Sequence, residues 1–379
     1  MSLAPHYSWF RVAERLLLTG HSHQAWPDVA REGVLEAYDD AALAVGDKWG
    51  RAQVRADRLR EGVRELLDDP GGQVALGAST HELLVRFLSA LDLRARPRVV
   101  TTDGEFHSAR RQLDRLAEAG LEVAKVAVEP VATLAERLAD QVDGHTAAVV
   151  VSSVLFETSR VVPSLEAVAR SCSRQGAELL VDAYHQLGVV PLSLPEAGLA
   201  DAWVVGGGYK YLQLGEGNCF LRLPAHAAGL RPVVTGWYAE SGDDFAGATY
   251  DPTSHYRASR VLDFFVEVGL TPPVLREISL HQRGLLAAAF DALDLPEELA
   301  TRDRETPAEG FGGFLAVVSP HAAELQATLA ERGVTTDSRG RHLRFGPAPY
   351  LSDEQLHAAM AALGEVAGQV AREGAQRTV

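Results

Sequence analysis

Two neighbouring segments in the middle of the chain decide the fold: ELLVDAYH at residues 178–185 and AWVVGGGYKYL at residues 202–212. Each begins with a short apolar run, which is typical of a strand buried on both faces of a parallel sheet. The first run ends at Asp182, and the second is followed by Lys210 in a glycine-rich turn. Because ligands of such sheets bind at the carboxyl ends of the strands, we expect Asp182 and Lys210 to face one site.

An aspartate and a lysine in this arrangement are the pair that a pyridoxal phosphate (PLP) cofactor needs. The lysine forms a Schiff base with the cofactor aldehyde, and the carboxylate keeps the pyridine nitrogen protonated. The flanking Tyr209 and Tyr211 would desolvate the amine and lower its pKa. The preceding glycines, residues 206–208, would let the backbone approach a ligand closely. On these residues alone, a solvated loop lysine is the competing interpretation.

Apolar runs alternate with amphipathic segments on both sides of this centre, which predicts an α/β fold with a mostly parallel sheet flanked by helices. The other strands of this sheet are predicted at Arg98–Thr102, Glu122–Val128, Ala147–Ser153 and Asn218–Leu223, and its helices at Glu82–Leu91, Ser108–Ala119, Val131–Gln141 and Leu165–Gln175. From residue 312 onward, the pattern predicts a compact α+β unit. We therefore expect an N-terminal segment (1–45) that joins the small domain, a large ligand-binding domain (46–270) and a small C-terminal α+β domain (271–379).

Composition sets limits on the class of protein. The chain has 379 residues and a formal net charge of −15, so no excess of basic residues exists to bind nucleic acid. Its two cysteines, Cys172 and Cys219, suffice neither for a disulfide framework nor for a zinc cluster, and no metal site is expected. No signal peptide is recognisable, and no segment reaches the ~20 apolar residues of a membrane helix. These features favour a cytoplasmic protein without membrane or nucleic-acid partners.

The segments VDAYHQLGVVPL (residues 181–192) and VVGGGYKYLQLGEGNCFL (residues 204–221) resemble the class V aminotransferase-like, fold-type I PLP enzymes. Within that group they look most like kynureninase, whose pattern is an aspartate, two residues, a histidine, and later Tyr-Lys-Tyr. The resemblance implies that Lys210 carries the cofactor and that Asp182 pairs with the pyridine nitrogen. It also implies that His185 lies beside them, and that Tyr209 contacts the phosphate and serves as a proton donor.

The resemblance extends from about Gly20 to Tyr350 and implies further roles. Ser79 and Thr80 would bind the cofactor phosphate at a helix N-terminus, and Phe106 would stack on the cofactor ring. Trp237 and Thr271 would contact the cofactor across a homodimer interface. For the amino-acid substrate, Arg344 would bind the α-carboxylate, with Arg339 as the fallback. Ser22 and Trp49 would complete the substrate site.

By this resemblance, the chain is expected to be a homodimeric PLP-dependent hydrolase of tryptophan catabolism. It would cleave the Cβ–Cγ bond of L-kynurenine or 3-hydroxykynurenine to an anthranilate and L-alanine. Four positions depart from the kynureninase pattern: Ala109, Leu155, Glu157 and Leu270. These departures leave two alternatives open: another class V enzyme (aminotransferase, epimerase or lyase), or a PLP-fold protein whose kynureninase activity has drifted or been lost.

Two other classes of enzyme are disfavoured. A cysteine desulfurase or selenocysteine lyase needs a nucleophilic cysteine in the C-terminal half, and no cysteine follows Cys219. A nicotinamide-binding protein needs G-x-G-x-x-G between an early strand and a helix, and the glycines at 206–208 lack that spacing.

Overall fold

Twelve strands form three sheets in the part of the chain that the computed structural model describes, which is the backbone of residues 2–377 and the side chains of residues 2–372. The strands are β1 (Leu16–Leu17), β2 (Gln73–Gly77), β3 (Arg98–Thr102), β4 (Glu122–Val126), β5 (Thr146–Ser152), β6 (Glu178–Asp182), β7 (Trp203–Gly207), β8 (Cys219–Leu223), β9 (Leu315–Val318), β10 (Val334–Thr335), β11 (Asp337–Arg339) and β12 (His342–Phe345).

Ten α-helices surround these sheets in the same described range. They are α1 (Val29–Leu43), α2 (Trp49–Leu67), α3 (Thr80–Ser89), α4 (His107–Glu118), α5 (Leu134–Asp140), α6 (Leu165–Gln175), α7 (Thr253–Glu267), α8 (Pro272–Asp291), α9 (Ala322–Glu331) and α10 (Asp353–Arg377).

The main sheet has seven strands in the order β2-β8-β7-β6-β5-β3-β4. From β7 to β4 the pairings are all parallel, whereas β8 runs antiparallel to both of its neighbours, β2 and β7. The predicted α/β architecture with a mostly parallel sheet is therefore confirmed. The strand β2 was not predicted, because its sequence QVALG is short and follows the turn-forming residues 70–72, Pro-Gly-Gly.

Strand β5 shows why these apolar runs are continuous. Its residues Val149 and Val151 lie in one apolar cluster, and the alternating Ala148 and Val150 lie in a second cluster on the opposite face of the sheet. Since successive side chains of a strand point to opposite faces, a sheet covered on both faces needs apolar residues at every position.

A separate three-stranded antiparallel sheet, β11-β12-β9, packs against α9 in the C-terminal part of the chain, and α9 packs against α10. The N-terminal segment contributes to this region, because β1 pairs in parallel with β10. The predicted small C-terminal α+β unit is thus present in the structure, and the predicted division of the chain into domains stays a prediction. The same N-terminal segment also supplies α1, which packs against α7.

Five strand ends of the main sheet point to one edge. The chain passes from β2 directly into α3 and from β3 into α4, and the loops after β5, β6 and β7 leave from the same edge. Side chains from five separate parts of the sequence can therefore meet there. Among the described residues, no helix combines the length and the apolar character needed to cross a bilayer.

Candidate active site

Lys210 lies in the turn that follows β7, and the glycines before it serve packing inside the protein. A Cβ atom on Gly207 would lie 2.5 Å from the Tyr184 hydroxyl and 2.7 Å from the Cys219 Sγ. A Cβ atom on Gly208 would lie 2.6 Å from the Leu214 side chain. These glycines thus let the strand fit against its own neighbours, and their close approach to a ligand stays a prediction.

The Lys210 ammonium is enclosed by rings. The side chain is 4% exposed, and Nζ lies 4.6 Å from the centroid of the Tyr184 ring and 5.1 Å from that of Phe106. Its Nζ is 2.8 Å from His185 Nε2. Burial lowers the pKa of Lys210 to about 7, against the opposing charge of Asp182. A lowered pKa increases the share of this amine in the free-base form, which a nucleophile or a general base requires.

Asp182 ends β6 and faces the same cavity as Lys210. Its Oδ1 accepts a hydrogen bond from the backbone N–H of Tyr184 at 2.9 Å. Burial raises the pKa of this carboxyl, while the hydrogen bond from Tyr184 and the charge of Lys210 lower it. Within the described residues, no ion pair joins Asp182 to Lys210, so the carboxylate can take a second cationic partner in the cavity.

His185 and Phe106 complete the inner wall. Burial, followed by the charge of Lys210, holds the pKa of His185 well below its usual value, so its imidazole is neutral. The ring centroid of Phe106 lies 6.4 Å from that of His185. Phe106 also packs edge-on against Phe156 at 5.4 Å, which fixes its ring at the side of the cavity.

These side chains line a cavity of about 200 Å³. Most of the proposed cofactor residues lie on its wall: Ser79, Thr80, Phe106, Asp182, His185, Tyr209 and Lys210. Burial raises the pKa of Tyr209 to about 12, so its phenol keeps its proton at neutral pH and can donate a hydrogen bond.

The N-terminus of α3 forms one end of the cavity. Ser79 is its N-cap, and the Ser79 hydroxyl accepts a hydrogen bond from the backbone N–H of Glu82 at 3.2 Å. The Glu82 carboxylate in turn accepts a hydrogen bond from the backbone N–H of Ala78, the residue before the N-cap, at 3.1 Å. The Ser79 hydroxyl hydrogen stays free for an anion, so capping and anion binding are compatible at this residue.

Arg344 on β12 is buried and held by a neighbouring strand. Its Nε and Nη2 donate to the two carboxylate oxygens of Asp337 at 2.9 and 2.5 Å, and Nη1 donates to the carbonyl oxygen of Phe156 at 2.5 Å. Asp337 also lies 2.7 Å from Nε2 of the fully buried His21. Hydrogen bonds from His21 and Arg344 hold the pKa of Asp337 well below its usual range despite burial. Sequence reasoning missed Asp337 and His21, whose roles depend on partners far away in the chain.

Four of the predicted site residues lie away from this cavity within one chain. Trp49 and Trp237 line a second cavity of about 310 Å³ and are 38% and 67% exposed. Thr271 is the exposed N-cap of α8, and the Ser22 hydroxyl donates to the carbonyl oxygen of Thr19. Trp237 and Thr271 are proposed to act on the cavity of a second subunit, and this stays a prediction. The roles of Trp49 and Ser22 also stay predictions.

Glu105 is a buried carboxyl behind the cavity that sequence reasoning did not single out. Its oxygens accept hydrogen bonds from the Thr102 hydroxyl at 2.7 Å and from the Ser152 hydroxyl at 2.6 Å. In the sheet, Ser152 is the register partner of Asp182. Burial raises the pKa of Glu105 to about 7, and the nearby charge of Asp182 also raises it.

Replacing Glu105 with Gln is expected to stabilise the protein at alkaline pH. Because the pKa of Glu105 is raised in the folded state, the native protein binds the extra proton, and stability falls as pH rises through about 7. A rise in pKa of this size corresponds to about 3 kcal/mol at high pH. Gln mimics the protonated form at every pH, so a gain of about 3 kcal/mol is expected near pH 8.5 and about 1 kcal/mol near pH 5.5, because the unfolded carboxyl already loses its proton above its ordinary pKa of 4.5.

Urea unfolding of the cofactor-free protein at the two pH values measures this effect. Glu118→Gln is the control, because Glu118 is an exposed partner of Arg115 on α4. An equal effect of Glu105→Gln at both pH values would contradict the assigned protonation.

Comparison with known proteins identifies the fold of the chain. No family model matches the chain. The chain is 25% identical over 337 residues to the uncharacterised aminotransferase YcbU of Bacillus subtilis (strain 168), an alignment that covers 86% of this chain and 88% of that protein. Among solved structures, it is similar to a mutant of C-DES with glycine covalently linked to its PLP cofactor, with a TM-score of 0.82, 16% identity and coverage of 96% of this chain and 100% of that one.

Two further structures show the same similarity. One is the complex of the cystine C-S lyase C-DES with its reaction product cysteine persulfide, with a TM-score of 0.79, 19% identity and coverage of 93% of this chain and 98% of that one. The other is the apo cysteine desulfurase of Thermococcus onnurineus NA1, with a TM-score of 0.77, 16% identity and coverage of 94% of this chain and 96% of that one. The chain thus has the fold of the fold-type I PLP enzymes.

Proposed function

We propose that this chain is a PLP-dependent enzyme that removes the α-proton of an amino acid, with Lys210 as the residue that holds the cofactor and moves the proton. The observation that supports this most strongly is a buried lysine with a pKa of about 7 that shares a cavity with an aspartate at the carboxyl edge of the sheet. Perturbed titratable groups that converge on one cavity mark a catalytic site more often than a structural one. The fold and the aminotransferase relative support the same class.

The donors around the cavity fit the cofactor. Lys210 would bind the PLP aldehyde, Asp182 the pyridine nitrogen, and Phe106 one face of the ring. The N-terminus of α3, together with the hydroxyl groups of Ser79 and Thr80, suits a phosphate. When bound, PLP supplies an electron sink for negative charge that develops at the α-carbon.

Each catalytic task falls to a residue whose state suits it. Lys210, with a pKa of about 7, can take the α-proton at Nζ and return it near neutral pH. Neutral His185, 2.8 Å from that Nζ, holds the amine in place. Arg344 uses three of its five N–H groups on Asp337 and Phe156, and one N–H remains on each terminal nitrogen. That remaining pair can bind the substrate α-carboxylate.

Sulfur transfer through a protein cysteine is not supported. Cys172 and Cys219 are the only cysteines of the chain, and both are buried. Burial raises the pKa of each thiol to about 12, so neither forms the thiolate that would accept sulfur. We therefore place the activity among aminotransferases and β-lyases, which need no cysteine nucleophile.

Hydrolysis of L-kynurenine is a narrower hypothesis that rests on the sequence resemblance alone. None of the relatives described above is a kynureninase. L-kynurenine therefore enters the experiments as one substrate of a panel, beside 3-hydroxykynurenine and simple amino acids.

We also propose that the chain works as a homodimer. Large apolar side chains are exposed on α1, on α2, in the loop between these helices and in the segment before α7: Tyr38, Leu43, Val45, Trp49, Val233 and Trp237. Exposed apolar surface of this kind marks association sites. Such an interface would carry Trp237 toward a second subunit, and sedimentation of the purified protein measures its mass in solution.

Mixing the purified protein with PLP is expected to give a long-wavelength absorbance band that survives gel filtration and shifts when an amino-acid substrate is added. One control is PLP in protein-free buffer. The other is PLP with an equal concentration of the Lys210→Ala variant, which lacks the attachment point. Loss of the band from the wild-type protein on gel filtration would contradict cofactor binding. A stable band that no amino acid shifts would contradict the catalytic role.

A further inference from the structure

His21 lies between Arg344, which is proposed to bind the substrate carboxylate, and the wall of the cavity. It is fully buried, although it belongs to a turn of the N-terminal segment. Its Nε2 lies 2.7 Å from Oδ1 of Asp337, whose carboxylate accepts two hydrogen bonds from Arg344. The imidazole of His185, on the cavity wall, donates a hydrogen bond to the backbone of His21. One residue of the N-terminal segment thus contacts both parts of the proposed site.

The His21 ring is held in place on two sides. It packs on Phe314 with the ring centroids 4.6 Å apart, and Cζ of Arg344 lies 5.5 Å from the same Phe314 centroid. On the other side lies Gly346, where an added Cβ atom would overlap with Nδ1 of His21. The backbone of Gly346 forms two hydrogen bonds with the segment 18–20, at 2.7 and 2.8 Å. These contacts fix the His21 ring beside Arg344.

The His21 ring is a neutral hydrogen-bond donor. Burial lowers the pKa of His21 to about 4, although the hydrogen bond to Asp337 opposes this shift. At neutral pH the ring therefore carries a single N–H. That N–H is on Nε2, because the carboxylate of Asp337 can only accept a hydrogen bond. His21 thus orients Asp337 without neutralising its charge.

The contacts of Arg344 leave one edge of its guanidinium group free. Nε and Nη2 donate to Asp337, and Nη1 donates to the carbonyl oxygen of Phe156. The N–H groups that remain on Nη1 and Nη2 form the end-on pair, which binds a carboxylate through both of its oxygens. Phe156 also packs edge-on against Phe106 on the cavity wall. The direction of the free edge depends on Asp337, because Asp337 holds the other edge.

We propose that His21 is a positioning residue, which donates to Asp337 and thereby holds the free N–H pair of Arg344 where the substrate α-carboxylate binds. This proposal rests on the proposed function, in which Arg344 binds that carboxylate and Lys210 is the base. Without the N–H of His21, Asp337 and Arg344 can turn together, and carboxylate binding weakens. Through its backbone bond with His185, the same residue also keeps the carboxylate site at a fixed separation from the catalytic amine.

Spectral titration of the PLP-loaded protein tests the proposal with two pairs of ligands: L-alanine against ethylamine, and L-phenylalanine against 2-phenylethylamine. In each pair, only the amino acid has a carboxylate. We expect His21→Leu, which removes the donor, to weaken amino-acid binding about tenfold or more and to leave amine binding unchanged. His21→Gln places an N–H near the position of Nε2 and should regain most of the preference for amino acids. The affinity for PLP should not change in either variant.

Two further variants complete the experiment. Gly346→Ala displaces the His21 ring without removing any hydrogen-bonding group, so it should cause the same loss of preference, and it replaces His21→Leu if that variant does not fold. His281→Leu is the matched control, because His281 makes the same type of contact with Asp353, at 2.9 Å, on the protein surface.

The outcomes distinguish this proposal from the proposed function. If the wild-type protein does not bind PLP, the proposed function fails, and this proposal fails with it. If the wild-type protein binds PLP but prefers no amino acid to its amine, Arg344 does not bind the α-carboxylate, and His21 has no group to position. If the wild-type preference persists in His21→Leu and Gly346→Ala, or if amine binding weakens as much as amino-acid binding, the proposal for His21 alone is overturned.

Discussion

Borohydride reduction of the PLP-loaded protein is expected to leave the cofactor permanently attached to Lys210 and to neither Lys48 nor Lys125, the other two lysines of the chain. The pKa of Lys210 is about 7, because the side chain is buried among rings. An unperturbed lysine has a pKa of about 10.4, so at neutral pH its free-base fraction is smaller by about three orders of magnitude. Peptide mass spectrometry of the reduced protein identifies the labelled lysine.

The Lys210→Ala variant should lose both the borohydride-fixed label and turnover, with activity reduced on the order of 10⁴-fold or more, because both the attachment point and the base are removed. Lys125→Ala is the control, since Lys125 forms a surface ion pair with Asp114. Label spread over all three lysines, or a borohydride-fixed label that persists in Lys210→Ala, would reject the assignment of Lys210.

Asp182→Asn is expected to bind PLP but to slow α-proton removal on the order of 10³-fold. Asn keeps an oxygen that can accept the hydrogen bond from the backbone N–H of Tyr184, but it carries no charge. Two opposite unit charges at contact distance attract by about 4 kcal/mol at an effective dielectric constant of about 20, so removing the charge of Asp182 would cost up to about that much. Without that charge, the ring nitrogen loses its proton and the cofactor accepts electrons poorly.

Exchange of the α-proton in deuterium oxide, followed by NMR, measures this step apart from later chemistry. Asp201→Asn, at an exposed carboxylate just before β7, is the control. Wild-type exchange rates in Asp182→Asn would exclude the pairing of Asp182 with the ring nitrogen.

Local patterns were enough to predict much of the main sheet. The strands β3 and β6 and the helix α6 begin and end where the sequence predicts, because each is an apolar or amphipathic run bounded by turn-forming residues. Strand β2 escaped prediction, since its pairing with β8 depends on residues that come much later in the chain. The antiparallel direction of β8 is likewise a property of the assembled sheet.

The site shows the same division. Asp182 and Lys210 were predictable because each follows an apolar strand, and the strand ends of such a sheet meet at one edge. Glu105 was not, because its burial and its bond to Ser152 arise only when β3 and β5 pair. Asp337 looks like a surface carboxylate in the sequence. Its ion pair with Arg344 forms because the two residues are opposite each other in the register of β11 and β12.

The pairing of β1 with β10 has a consequence for biosynthesis. Domains commonly fold from the N-terminus as the chain leaves the ribosome. Here Leu16 and Leu17 find their partners, Val334 and Thr335, only after nearly nine-tenths of the polypeptide has been translated. Until then, a nascent chain contains Lys210 and its neighbours in the pocket, but His21 and Arg344 are not yet in place. A chain released early from a stalled ribosome lacks Arg344, the arginine proposed to bind the substrate carboxylate.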